Sequence, residues 1–160
     1  TRVQDTIDLS AYVNVPTGQA IAIDSVDFIY QVGADFGQDA ASMITAAGHG
    51  AISAQLVDLN PGTTFVRADN HSLVASSALN IDGANNIVSH AADLYPDNFG
   101  PTNLSEMFLV VNDTLYLNAG VDASAIGGST VYVTARVRCR IVRLGTKDWM
   151  AIAIQSTAEA

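Results

Sequence analysis

Lysine and glutamate are nearly missing from this chain of 160 residues, which has one Lys, Lys147, and two Glu, Glu106 and Glu159. Charged residues amount to 14%, against about 25% in an ordinary soluble protein. Two explanations stand side by side. Partner subunits cover much of the surface, or a small β-domain presents a Ser/Thr/Asn-rich exterior. Cys139 is the only cysteine, so no intrachain disulfide can form, and its place in an alternating apolar series marks it as a buried thiol. No apolar run approaches the ~18 residues of a membrane helix, which excludes a helical membrane span. The opening Thr1-Arg2-Val3-Gln4-Asp5-Thr6 is not a signal peptide, and cytoplasmic synthesis is expected unless a leader has been removed.

What is present is apolar and acidic. The hydrophobic fraction is 49% and the formal net charge -9. Disorder is excluded by that apolar content, and the length fits a single domain, 1–160, able to bury a core without disulfides or metal. The charge is uneven. Residues 1–135 hold fourteen acids and only Arg2 and Arg67 as bases, whereas 136–147 hold Arg136, Arg138, Arg140, Arg143 and Lys147 with no acid.

The dominant hydrophobic period is two. Ile7, Leu9, Ala11, Val13 and Val15 alternate with polar residues until Pro16-Thr17-Gly18. A second strand begins at Ile21 and Ile23 and continues in shifted phase through Val26, Phe28, Tyr30 and Val32, which predicts a bulge near Asp24-Ser25. Gln38 to Ala47 reads as a short helix. In the last quarter Val131, Val133, Ala135, Val137, Cys139 and Ile141 share one face, with Tyr132, Thr134, Arg136, Arg138 and Arg140 on the other. Eight strands are predicted, over 6–15, 20–32, 50–58, 63–79, 85–90, 107–119, 130–143 and 148–155, with a possible bend at Asn112-Asp113. The expected fold is an all-β antiparallel eight-stranded β-sandwich, a jelly roll in preference to an immunoglobulin-like sandwich.

Residues of catalytic type do not form a recognisable constellation. His49, His71 and His90 are too dispersed for a metal motif. Asp82-Gly83-Ala84-Asn85 lacks the spaced carboxylates of a calcium loop, and no Gly-x-Ser-x-Gly elbow or Gly-rich phosphate loop occurs. Asp24 and Asp27 fall on opposite faces of a regular strand, unless the bulge reorients one. Asn70, Asn103 and Asn112 begin Asn-x-Ser/Thr triplets, glycan sites only where a glycosylation pathway is met. No enzyme activity, cofactor or metal is expected.

The unusual feature is the stripe Arg136/Arg138/Arg140; these three, with Arg143 and Trp149, are the candidates for a subunit interface or ion pairs. Like charges in a row repel, so compensation is expected from aspartates of a neighbouring strand, from an adjoining subunit or from nucleic acid, in that order. At least two of the three stripe arginines should contact carboxylates. Direct nucleic-acid binding would call for more bases and aromatics. Trp149, in an apolar last strand, is expected to be buried in the core or in an interface.

The run Tyr132-Val133-Thr134-Ala135-Arg136-Val137-Arg138, the run Lys147-Asp148-Trp149-Met150-Ala151-Ile152 and the acidic, cysteine-poor β pattern together resemble small single jelly-roll viral capsid proteins. The nearest type is the vertical single jelly roll of tailless icosahedral viruses of archaea and bacteria. The resemblance implies a coat subunit of the virion that self-assembles with copies of itself, and with other capsid proteins, through loops such as 33–50, 91–106 and 120–129. The chain departs from many coat proteins in lacking a basic N-terminal arm. A carbohydrate-binding β-sandwich remains the alternative, with Tyr12, Tyr95, Tyr116 and Tyr132 as candidate stacking residues. The residues do not identify a small-molecule ligand.

Overall fold

The structure is a computed structural model, and it describes residues 2–14, 16–32, 49–67, 69–82, 85, 87–90, 108–122, 130–145, 147–148 and 150–152. Among these, eight strands occur: β1 (Arg2–Asp8), β2 (Gln19–Val32), β3 (His49–Val57), β4 (Leu73–Asp82), β5 (Ile87–His90), β6 (Phe108–Val110), β7 (Thr114–Asp122) and β8 (Val131–Arg143). They form two antiparallel sheets, one of five strands in the order β1-β7-β3-β4-β5 and one of three in the order β6-β2-β8. Within the larger sheet β3, β4 and β5 are successive neighbours, and β7 returns to lie beside β3. That spatial order, 7-3-4-5, is a Greek key.

The alternation of side chains carries the two sheets onto one another. Ile23, Val26 and Val110 of the small sheet meet Leu56, Val74, Ala75 and Leu115 of the large one. Ile52 and Ile81 anchor a second cluster, with Tyr30, Val131 and Val133 packed against it. Each fully buried side chain of this size contributes about 1.5–3 kcal/mol relative to exposure.

The bulge in β2 lies where the phase shift places it. Ile23 pairs with Cys139 and Ser25 with Arg138, which leaves Asp24 as the extra residue. A second bulge, between Leu56 and Val57 in the β3–β4 ladder, skips Val74 and frees its side chain to join the core.

Four of the expected strand boundaries are corrected. The first strand ends at Asp8 rather than Val15, because the Asp8 carboxylate accepts the Ser10 N–H at 2.9 Å and starts a turn that closes with Tyr12 N–H to Leu9 O. Residues 107–119 are two strands, not one. The Asn112-Asp113 bend passes the chain from β6 in the small sheet to β7 in the large one. Residues 63–67 and 69–72 are not strand; their bonding is given below. Residues 147–148 and 150–152 are helical rather than extended. A short apolar run does not by itself distinguish strand from helix, and here Asp148 suits a first helical turn and Ala151 is a strong helix former. The short helix expected at Gln38 to Ala47 lies outside the described residues.

The described residues of segment 58–72 cross the outer face of the large sheet as a strap, and three amides of one cross-strand row receive them. Gln4 of β1, Asn118 of β7, Gln55 of β3 and Ser76 of β4 are successive cross-strand partners. Gln55 donates to Val66 O and accepts from Val66 N–H, both at 2.8 Å. Asn118, fully buried, donates to Thr64 O at 3.1 Å. Gln4 donates to Gly62 O at 2.6 Å and to the Asn60 side chain at 3.0 Å. The Arg2 guanidinium stacks 4.4 Å from the Phe65 ring centre. Backbone without a ladder partner must be satisfied elsewhere, and these amides supply the partners.

Candidate interaction face

β8 pairs with β2 along its whole length and, among the described residues, has no strand on its other side. Its register decides what the arginines face. Arg136 lies opposite Asp27, Arg138 opposite Ser25 and Arg143 opposite Gln19. Arg140 lies opposite Ala22 and reaches the bulged Asp24, with Nε 3.7 Å from Oδ1. That distance is an ion pair rather than a hydrogen bond, and the buried Oδ1 has no hydrogen-bond partner. The bulge thus brings both aspartates of β2 beside the arginine stripe, which a regular strand would not do. With the Arg140 side chain 46% exposed, the pair is worth at most about 1 kcal/mol.

Compensation is therefore incomplete. Arg136, Arg138, Arg140 and Arg143 are all exposed, and among the described residues the ion pair is found at Arg140, one of the two or more expected in the stripe. Arg138 and Arg143 have polar, uncharged residues across from them. Successive arginines on one strand face lie roughly 6.6 Å apart, and repulsion at that spacing is relieved only by water, salt or a carboxylate brought from outside.

Cys139 corrects an expectation. Strand alternation does turn it away from the guanidiniums, onto the side of its partner Ile23, yet the thiol is exposed rather than buried. Among the described residues β8 is an edge strand. Ile141, the next residue on that side, is half exposed as well. Partial burial, with the Asp24 charge second, pushes the Cys139 thiol up from its ordinary pKa. The shift favours the protonated, less nucleophilic thiol.

The exposed apolar side chains have a common address. Among the described residues six large hydrophobics are about half exposed or more: Val3 on β1, Ile87 on β5, Tyr132 and Ile141 on β8, and Tyr12 and Met150 outside the strands. β1 and β5 are the two edges of the large sheet and β8 is an edge of the small one. Proteins usually blunt such edges with charge, bulges or cover.

An acidic corner completes the electrostatics. Asp8 and Thr114 are cross-strand partners, the Leu9 N–H donates to Asp113 O at 2.7 Å, and Asp8 and Asp113 are exposed, whereas Asp5, three residues before Asp8 on the same strand, faces the other side of the sheet. Hydrogen bonds from Ser10 hold the Asp8 carboxyl below its usual range. Periodicity does not reveal this corner, since Asp113 joins β1 only through the β1–β7 pairing.

The other candidates are dispersed. His71 is exposed on the strap, and the His49 and His90 side chains are not among those described. Trp149 and Asn103 lie outside the described residues, as do most of the loops 33–50, 91–106 and 120–129, although 49–50 and 120–122 belong to β3 and β7. The Asn70 side chain accepts from the Ser72 N–H and hydroxyl, and Asn112 donates to Asp58 O. Among the described residues no group of three His, Cys, Asp or Glu is placed to hold a metal ion, and no helix is long and apolar enough to cross a membrane. What this face offers chemically is an array of fixed guanidinium donors suited to carboxylates. No protein family, curated protein or solved structure matches the chain.

Proposed function

We propose that this protein is a non-catalytic structural subunit that assembles with copies of itself into a closed shell, as the coat protein of an icosahedral virus does. The observation that carries the reading is the concentration of half-exposed apolar side chains, Val3, Ile87, Tyr132 and Ile141, on sheet-edge strands. Lateral contact between subunits buries such edges, and the low charge content of the chain fits a surface that is covered. The virion is then its location, and other capsid proteins are possible neighbours in the shell. A jelly roll is the finer form of the fold in this proposal. Eight strands in two sheets and one Greek key support it, two Greek keys being the full pattern.

Sedimentation velocity across a concentration series, with electron microscopy of the heaviest fraction, tests the proposal. Discrete particles or capsomer-sized species are expected. A protein that stays monomeric at the highest concentrations, in low and high salt, overturns it. Tyr12 and Tyr132, both about half exposed, favour a second reading as a carbohydrate-binding module, which specific binding on a glycan array by the monomer would establish instead.

A further inference from the structure

Among the described residues β8 is the longest sheet edge, with thirteen residues against seven in β1, four in β5 and three in β6. One bond fixes the direction of its backbone groups. The Leu144 N–H donates to Gly18 O at 2.8 Å, and Gly18 and Leu144 continue the register of the Gln19–Arg143 pair. Antiparallel residues exchange hydrogen bonds at every second pair, so the even-numbered residues of β8 bond to β2. The bulge lies in β2 and leaves the alternation of β8 intact. The odd-numbered residues from Val131 to Arg143 therefore turn their N–H and C=O groups to the side where, among the described residues, no strand meets them. β8 has no proline and no bulge of its own, so its backbone does not bar a further strand.

We infer that β8 pairs antiparallel with β8 of a second copy of the chain across a two-fold axis, joining two small sheets into one. This rests on the self-assembly reading above and adds to it the contact and its symmetry. The backbone allows any register that sets odd residues against odd ones, and charge selects among them. Every register centred between Arg136 and Arg140 places stripe arginines directly opposite each other, which is destabilising. The longest overlap without that clash has Ala135 on the axis and runs from Val131 to Cys139. Thr134 then stands across from Arg136, Tyr132 from Arg138 and Thr130 from Arg140. Each guanidinium meets a hydroxyl or a ring instead of a like charge, and the half-exposed Tyr132 is covered. On the other face Val133 meets Val137, both half-buried in the single chain. The strand thus supplies its own complement in length, side-chain phase and charge. An isologous contact of this kind closes at two copies.

Residue-resolved amide hydrogen exchange over a dilution series tests the contact. Even-numbered amides of β8 should be protected at every concentration. Val133, Ala135 and Val137 should be protected only where the chain associates, exchanging at least about tenfold more slowly than in the dilute monomer. Ala135→Pro removes only an edge-facing donor, which an edge strand tolerates, and should weaken association at least about tenfold with the even-numbered protection kept. Should proline disturb the strand, cross-linking gives a second readout. A mixture of Thr134→Cys and Arg136→Cys chains, both carrying Cys139→Ser, should form a disulfide dimer on oxidation, because residues 134 and 136 are then a non-hydrogen-bonded pair about 4.5 Å apart at Cα. A mixture of Thr134→Cys and Arg140→Cys chains in the same background should not. If the unmodified chain assembles while Val133, Ala135 and Val137 exchange freely, or if the Arg140→Cys mixture cross-links better, the β8 contact is wrong and self-assembly stands. Protection of those amides in the dilute monomer means that the chain covers its own edge, and also overturns the contact. A chain that never associates sinks both readings.

Discussion

The outer faces of the two sheets are built from the same kind of sequence and end in opposite environments. On the large sheet the outward phase holds Gln4, Asn118, Gln55 and Ser76, and the 58–72 strap covers it so closely that Asn118 and Gln55 are buried. On the small sheet the outward phase of β8 holds Thr134, Arg136, Arg138 and Arg140, all exposed. A polar residue at every second position shows which side of a strand is not the core, and does not show whether that side meets water. The chemistry of the side chain does. Amides, which donate and accept at once, can satisfy a strap's backbone, whereas guanidiniums only donate and keep their charge.

Substitutions should separate the two faces, the strap-covered one losing stability and the open one losing contacts. The largest effect is expected at Gln55→Ala, which strips both the N–H and the C=O of Val66 of their partners. Urea unfolding should show a loss of about 2–4 kcal/mol. A loss under about 0.5 kcal/mol would mean that the strap is held by its apolar residues alone.

Next comes a position in the turn that leads into β2 and is not tolerant. Gly18 has φ 69°, accepts the Leu144 N–H at 2.8 Å, and has no room for a Cβ against the Leu144 carbonyl. Gly18→Ala should lower stability by about 1–3 kcal/mol from backbone strain, with the clash added. Gly62 provides the control. Its φ is 72°, but nothing lies within 4 Å of its Cβ direction, so Gly62→Ala should show the strain alone in a thermal melt.

Asn118→Ala should cost less than Gln55→Ala, about 1–2 kcal/mol. It loses the bond to Thr64 O, but it also removes a buried Oδ1 that has no hydrogen-bond partner. Arg138→Glu should leave unfolding unchanged within about 0.5 kcal/mol, since Arg138 is exposed and faces Ser25.

The smallest effect is a reactivity. The Asp24 charge adds to burial in raising the Cys139 pKa. Asp24→Asn should therefore lower that pKa, enlarge the thiolate fraction at mildly alkaline pH and speed alkylation by iodoacetamide. An unchanged rate would assign the shift to burial alone. The sign for stability follows. A thiol held protonated in the fold contributes stability below its unfolded pKa, and that contribution fades as pH rises toward the folded value.

Much of the sheet architecture could be read from residue order alone. The phase slip between Ile23 and Val26 locates the bulge, and strict alternation from Val131 to Val137 locates β8. Both are local signals with period two. Three features depend on partners distant in sequence. Thr63 to Arg67 is extended enough to pass for a strand, and only the Gln55 and Asn118 amides reveal it as a strap. Cys139 fits the inward phase, yet the inward phase of an edge strand is not always covered. The residues after Lys147 are apolar on every side, a pattern that suits either strand or helix. The arginine stripe and the bulge beside it could be named from sequence, but the company of Asp8 and Asp113 could not, because Asp113 reaches β1 only through the pairing of β7 with β1.

The ladders that close the two sheets join early strands to late ones, with Arg2 of β1 paired to Gly120 and Gln19 of β2 to Arg143. A strand with such a partner has nothing to bond until that partner has been made. At the ~5–20 residues per second of translation, β1 waits several seconds on the ribosome before β7 follows it. The β3–β4–β5 meander can form in the meantime, so the nucleus is expected there, with β1 and β8 as late additions and slow folding overall. During that interval the nascent chain carries open strand edges. Thirteen of its sixteen acids precede β7 by position, with only Arg2 and Arg67 as bases, and this surplus of like charge opposes the pairing of two such open edges at close range.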